Sequence, residues 1–130
     1  MGIYDQMPTL ISPEDVKKTM KDINEARSHL LTFVSTKGEE NIKFSELSSD
    51  RKRDIDMKID SIINSCDSES KEGEFGKKLT EVSLAYNNLK DLIYNSNLGM
   101  TLSQIKNQLN ILSQPRGADA DLKEFVSSMN

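Results

Sequence analysis

The chain has 130 residues and a mass of 14.7 kDa, with 29% charged and 35% hydrophobic residues. That is about one domain with a modest core, and no apolar run approaches the ~20 residues needed to span a bilayer as a helix. Seventeen Lys and Arg against 21 Asp and Glu leave a net charge of −4, which runs against a phosphate-binding surface.

No basic-then-apolar leader is visible, and Cys66 is the single cysteine, so no intrachain disulfide can form. A cytoplasmic protein, or one exported without a cleavable signal peptide, is expected. Gly2 begins a myristoylation-like start that fails at Gln6, where Ser or Thr is needed. Residues 1–11 suggest a flexible tail carrying Ile3, Tyr4, Met7, Leu10 and Ile11, and residues 12–130 a single helical domain.

Ser12 is a suitable N-cap, Pro13 suits the first helical position, and Glu14 and Asp15 favour the positive end of the helix dipole. Val16, Met20, Ile23, Leu30 and Val34 follow at spacings of three and four, with Arg27 interrupting the stripe. This spacing predicts a helix to about Lys37, stopped by Gly38. Residues 39–47 form a connection that Ile42, Phe44 and Leu47 plug onto the core. The alternation Ile42-Lys43-Phe44 is strand-like but has no second strand to pair with, so a loop or one helical turn is expected.

A second helix begins near Ser48 or Ser49 and carries Ile55, Ile59, Ile62, Ile63 and Cys66 on one face. The polar stretch 67–73 separates it from a third. There Phe75, Leu79, Val82, Tyr86, Leu89 and Ile93 alternate steps of four and three, with Ala85 and Leu92 on the flank. Such a stripe packs against other helices at a shallow angle. After a break at residues 95–99, Thr101 and Gln104 form a capping box, with Met100 and Ile105 as its hydrophobic staple. The inner face of this fourth helix is Leu102, Ile105, Leu109 and Leu112, and Pro115 and Gly117 end it. A last short helix over residues 119–129 carries Leu122, Phe125, Val126 and Met129, with Asp119 or Asp121 as its cap. The expected fold is all-α: a small antiparallel bundle of four main helices plus a short C-terminal helix.

No pattern of residues points to catalysis, a metal or a cofactor. His29 is the only histidine, so a zinc site would need several carboxylates, and a catalytic triad would have to use His29, near which in space the sequence places no particular Ser or Cys. Asp54, Asp56 and Asp60 are interleaved with Arg51, Lys52, Arg53 and Lys58, as on a solvated helix face. The calcium-loop-like start at Asp67 fails at Lys71, Glu72 and Lys78. Gly73 and Gly76 before Lys77 and Lys78 lack the spacing and the preceding strand of a phosphate loop.

Residues 100–111 resemble the first helix and turn of a helix-turn-helix DNA reader. Lys106 stands where a small residue is usual, and the following helix opens with Asp119 and Asp121, which repel phosphate. A DNA-binding regulator using residues 100–129 is thus the second expectation. The first is a non-enzymatic helical module, of the regulator, chaperone or adaptor kind, that binds another protein or itself. Leu84, Tyr94 and Ile111 lie off their helices' inward stripes and would form its contact patch if they converge. Phe125, Val126 and Met129 on the short terminal helix are the other candidates.

Overall fold

A computed structural model of the chain describes residues 13–67, 73–95, 99–115 and 117–128. The expected tail at residues 1–11, most of the polar stretch 67–73 and Met129 lie outside the described residues. Five α-helices follow in order: α1 (Pro13–Val34), α2 (Ser49–Asp67), α3 (Gly73–Asn95), α4 (Leu102–Ser113) and α5 (Ala118–Ser128), with a 3₁₀ turn at Phe44–Glu46 between α1 and α2. They form the expected small antiparallel bundle. α1 packs along α2, α2 along α3, and α3 against α5 and α4, while α4 closes onto α1 and α5. No strand occurs among the described residues, and no described helix is long and apolar enough to cross a membrane.

The apolar stripes are the core. Ile55, Ile59 and Ile62 of α2, Leu79, Val82 and Tyr86 of α3, and Leu102, Ile105 and Leu109 of α4 are fully buried, joined by Leu30 and Val34 of α1. Each such aliphatic side chain contributes about 1.5–3 kcal/mol relative to exposure, so stability lies in the shared stripes rather than in any one helix's propensity. Cys66 is buried at the end of the α2 stripe. Leu122 fixes α5 to the same core, and the Phe125 ring stacks on Phe75 at 6.5 Å.

Three local outcomes differ from the pattern-based expectation. α1 ends at Val34, three residues before Lys37, because Ser35 and Thr36 turn back on the helix. The Ser35 amide donates to the Thr32 carbonyl and the Thr36 hydroxyl to that of Phe33, satisfying the end with a tighter turn. Gly38 then takes a left-handed φ of 88°. The extended residue Lys43 finds a partner after all: it bridges antiparallel to Thr101, and amides of Phe44 and Leu102 donate to the carbonyls of Met100 and Ile42. This single bridge ties the α1–α2 connection to the start of α4. At α5, neither Asp119 nor Asp121 is the cap. The helix begins at Ala118, and the Asp121 amide donates to the Gly117 carbonyl.

The α1–α2 connection is closed by Arg51, which makes a bidentate pair with Glu39 at 2.7 and 2.9 Å. Arg51 and Lys58 also lie over the Phe33 ring at 5.1 and 4.9 Å. On α4 the capping box forms as expected: the Gln104 amide donates to Thr101 Oγ1, and the Thr101 amide to Gln104 Oε1.

The turn from α4 into α5 is set by Gly117. A Cβ there would stand 2.3 Å from the Leu112 carbonyl oxygen and 2.6 Å from that of Ile111, both backbone atoms. Gly117→Ala is therefore expected to force the chain apart at this turn, with a cost of about 1–3 kcal/mol. Urea unfolding should show a lower midpoint, and amide exchange should quicken in α5 before it does in α2.

Candidate functional site

Two places stand out once the bundle is assembled: a buried polar cluster and an outward side built from a segment poor in charges. The cluster explains why Arg27 interrupts the α1 stripe. Its Nε donates to Asp119 Oδ2 at 3.0 Å, and its Nη2 donates to the Leu109 carbonyl at 3.0 Å and to the Ser113 hydroxyl. The Tyr86 hydroxyl donates to the same Asp119 oxygen at 2.7 Å. Asp119 thus leaves the capping position expected of it to join α1, α3, α4 and α5 at one point. Its Oδ1 is buried with no hydrogen-bond partner among the described residues. Burial pushes the Asp119 carboxyl above its ordinary range, opposed by the Tyr86 hydrogen bond and the Arg27 charge. Burial likewise raises the Tyr86 phenol, helped by the neighbouring Asp119 charge. The cavity beside the cluster, about 60 Å³ and lined in part by Ser113 and Lys123, has room for water rather than for a substrate.

The second place is the outward side of α3 and α4. Between Val82 and Pro115 only Lys90, Asp91 and Lys106 are charged, three in 34 residues, against 35 in the other 96. Lys90 turns away to pair with Asp60 of α2 at 3.0 Å, and Lys106 lies toward Glu40. Between the two helices runs a cleft of about 190 Å³ lined by Ala85, Asn88, Leu89, Leu92, Gln108 and Leu112. Leu84, Leu92 and Ile111 are 61%, 49% and 49% exposed on these adjacent helices.

The expected contact residues separate accordingly. Leu84 and Ile111 stand exposed on α3 and α4. Tyr94 is exposed too, but it is held on the α2 flank of α3: its ring meets Phe44 edge-on at 5.2 Å and its hydroxyl donates to Asp56. Burial and that hydrogen bond push its phenol up to about 12. Helix geometry sets Leu84 about 80° round the axis from Tyr94 on one side and about 80° from Leu92 on the other, about 15 Å and 12 Å along it, so Leu84 stands apart from both. Phe125 and Val126 are half-buried against the core, Val126 also edging a shallow groove along α1 beside Met20. Met129 lies outside the described residues.

Leu92 is the residue that stripe counting passed over, since it falls on the flank of α3. The signal that finds it is the gap in charge, which is visible in the sequence. His29 is exposed in a shallow depression between α1 and α2, beside Asp22 and Lys58. Among the described residues no His, Cys, Asp and Glu cluster able to hold a metal ion occurs.

The cluster makes two testable statements. Arg27→Met leaves the buried Asp119 carboxylate without its counter-charge, held only by the Tyr86 hydroxyl, and should cost about 3–5 kcal/mol, whereas Arg27→Met with Asp119→Leu should recover part of that loss, since the buried Tyr86 hydroxyl then lacks its acceptor. Denaturant melts of the single and double variants measure it. Because the folded carboxyl binds its proton more tightly than the unfolded chain does, its contribution is fullest below 3.8 and falls as pH rises through the higher folded value. Thermal melts should therefore show the wild type gaining on Asp119→Asn as pH drops from neutral towards 4; a gap that is flat with pH would contradict this. No family model, curated protein or solved structure matches this chain, so the functional reading rests on the geometry of these two places.

Proposed function

We propose that this chain is a non-enzymatic helical interaction module that docks a partner protein on the outward side of α3 and α4. The observation that carries the reading is the coincidence of two exposed large aliphatic side chains, Leu92 beside the α3–α4 cleft and Ile111 on α4, with a segment, 82–115, that holds only three charged residues. Scattered exposed leucines are ordinary on a soluble protein. Depletion of charge around them is not, and it matches the composition of the buried centre of protein interfaces. A regulator, adaptor or chaperone role suits such a surface. The helix-turn-helix reading draws no support from it: α4 offers phosphate only Lys106, and α5 opens with Asp119 and Asp121.

A photo-crosslinking side chain placed at Leu92 or Ile111 in the native host tests the proposal. Met57, 59% exposed on α2, is the control position. Discrete adducts from the first two positions and none from Met57 are expected. Equal labelling from all three, or none from any, would remove the α3–α4 side as a docking surface.

A further inference from the structure

We propose that α5 is a strap, which lifts as one unit from a four-helix body that stays closed without it. The inference does not rest on the docking surface argued above, and either can fail alone. Its first support is the distribution of buried side chains. α2 sinks Ile55, Ile59, Ile62 and Cys66, α3 eight residues from Phe75 to Ile93, and α4 Leu102, Ile105 and Leu109, whereas α5 sinks Leu122 alone. Phe125 and Val126 are only half-buried against the core. Apolar burial is the main force holding a helix to a bundle, so α5 is held by the least. The seam between α1 and α5 also encloses the cavity of about 60 Å³, with Met20, Ile23 and Asn24 on one side and Ala120 and Lys123 on the other. Side chains facing that gap forgo part of their dispersion contact.

The polar cluster lowers the cost of release. Lifting α5 returns Asp119 to water, and with it Oδ1, which is buried without a hydrogen-bond partner among the described residues. A buried charge and an unmet acceptor both regain hydration on release, which offsets part of the lost contacts. Arg27 meanwhile keeps the Leu109 carbonyl and the Ser113 hydroxyl, both on α4. The ties that close the body do not involve α5. α2 packs on α1 and on α3, and the Lys43–Thr101 bridge and the amides of Phe44, Leu102 and Ser103 join α4 to the α1–α2 connection. Opening is then confined to one short element, the usual form of a sub-global unit. It bares Phe75 and the Tyr86 hydroxyl beside an Arg27 that has lost its counter-charge, an apolar seat with one cation that the closed chain does not present.

Hydrogen exchange of the full chain in zero to low urea, read by mass spectrometry under conditions where the rate reports the opening equilibrium, tests it. After correction for intrinsic amide rates, α5 is expected to exchange about a hundredfold faster than α2, with little acceleration by urea because lifting exposes little surface. Two variants separate a strap from its alternatives. Ile59→Val weakens the body, which is intact whether α5 is down or lifted. It should therefore speed α2 by about two- to tenfold and leave α5 unchanged. Phe125→Ala removes the stack on Phe75 and should speed all the protected amides of α5 together, by about tenfold or more. If Ile59→Val speeds α5 as much as α2, the helix opens only when the whole chain unfolds, and the proposal is overturned. Phe125→Ala acting on the last turn alone would show fraying in place and overturn it equally.

Discussion

Arg27 carries a positive charge on the face of α1 that otherwise buries Val16, Ile23, Leu30 and Val34, and the way that charge is answered decides how the C-terminal half of the chain lies. A guanidinium half-sunk in a core needs acceptors from several directions. It receives them from the Leu109 carbonyl and Ser113 on α4 and from Asp119 on α5, while Tyr86 of α3 satisfies its own buried hydroxyl on the same carboxylate. α5, at eleven residues, is too short to hold its helix alone in water. Leu122 and Phe125 give it apolar adhesion, which is non-directional; the Asp119 contacts give it a register.

The cluster is accounted for as a structural tie. A general acid or nucleophile has to reach a substrate, and here one oxygen of the raised Asp119 carboxyl is taken by two internal donors while the other is buried beside a cavity of about 60 Å³ with room for water rather than for a substrate. Its perturbed protonation follows from burial that its partners only partly offset. Perturbed groups mark functional sites only when they open on space a ligand can enter.

Much of this architecture was legible in the sequence because it depends on periodicity. The stripe of α3 from Phe75 to Ile93, the capping box at Thr101 and the turn at Gly117 after α4 ends at Ser113 are local patterns, and local physics realises them. What was not legible depends on pairing across the fold. Arg27 was visible as an interruption, and Tyr86 as an aromatic with a polar tip, but nothing within either helix names Asp119 as their common acceptor, 92 and 33 residues away. Lys43 failed to reveal its bridge to Thr101 for the same reason. Tyr94 looked like a surface aromatic by its position on the helix, yet Asp56 of α2, in an otherwise ordinary charged run, holds it to the body. The contact face lies between these extremes. Its charge gap is written in the chain, but only adjacency of α3 and α4 turns a compositional gap into a surface.

That surface is presented on elements already fixed at their edges. α3 is tied to α2 by Lys90 to Asp60 and by Tyr94 to Asp56, and α4 is tied to α1 and its following connection through the Leu109 carbonyl and the amides of Leu102 and Ser103. Every one of these polar ties lies on a flank or inside, and none uses the outward side. A partner arriving there meets side chains whose backbone needs no reordering, so little of the association energy is spent on conformational entropy. It also meets few charges to match. Shape and the burial of Leu92 and Ile111 are then what distinguish a correct partner from a wrong one.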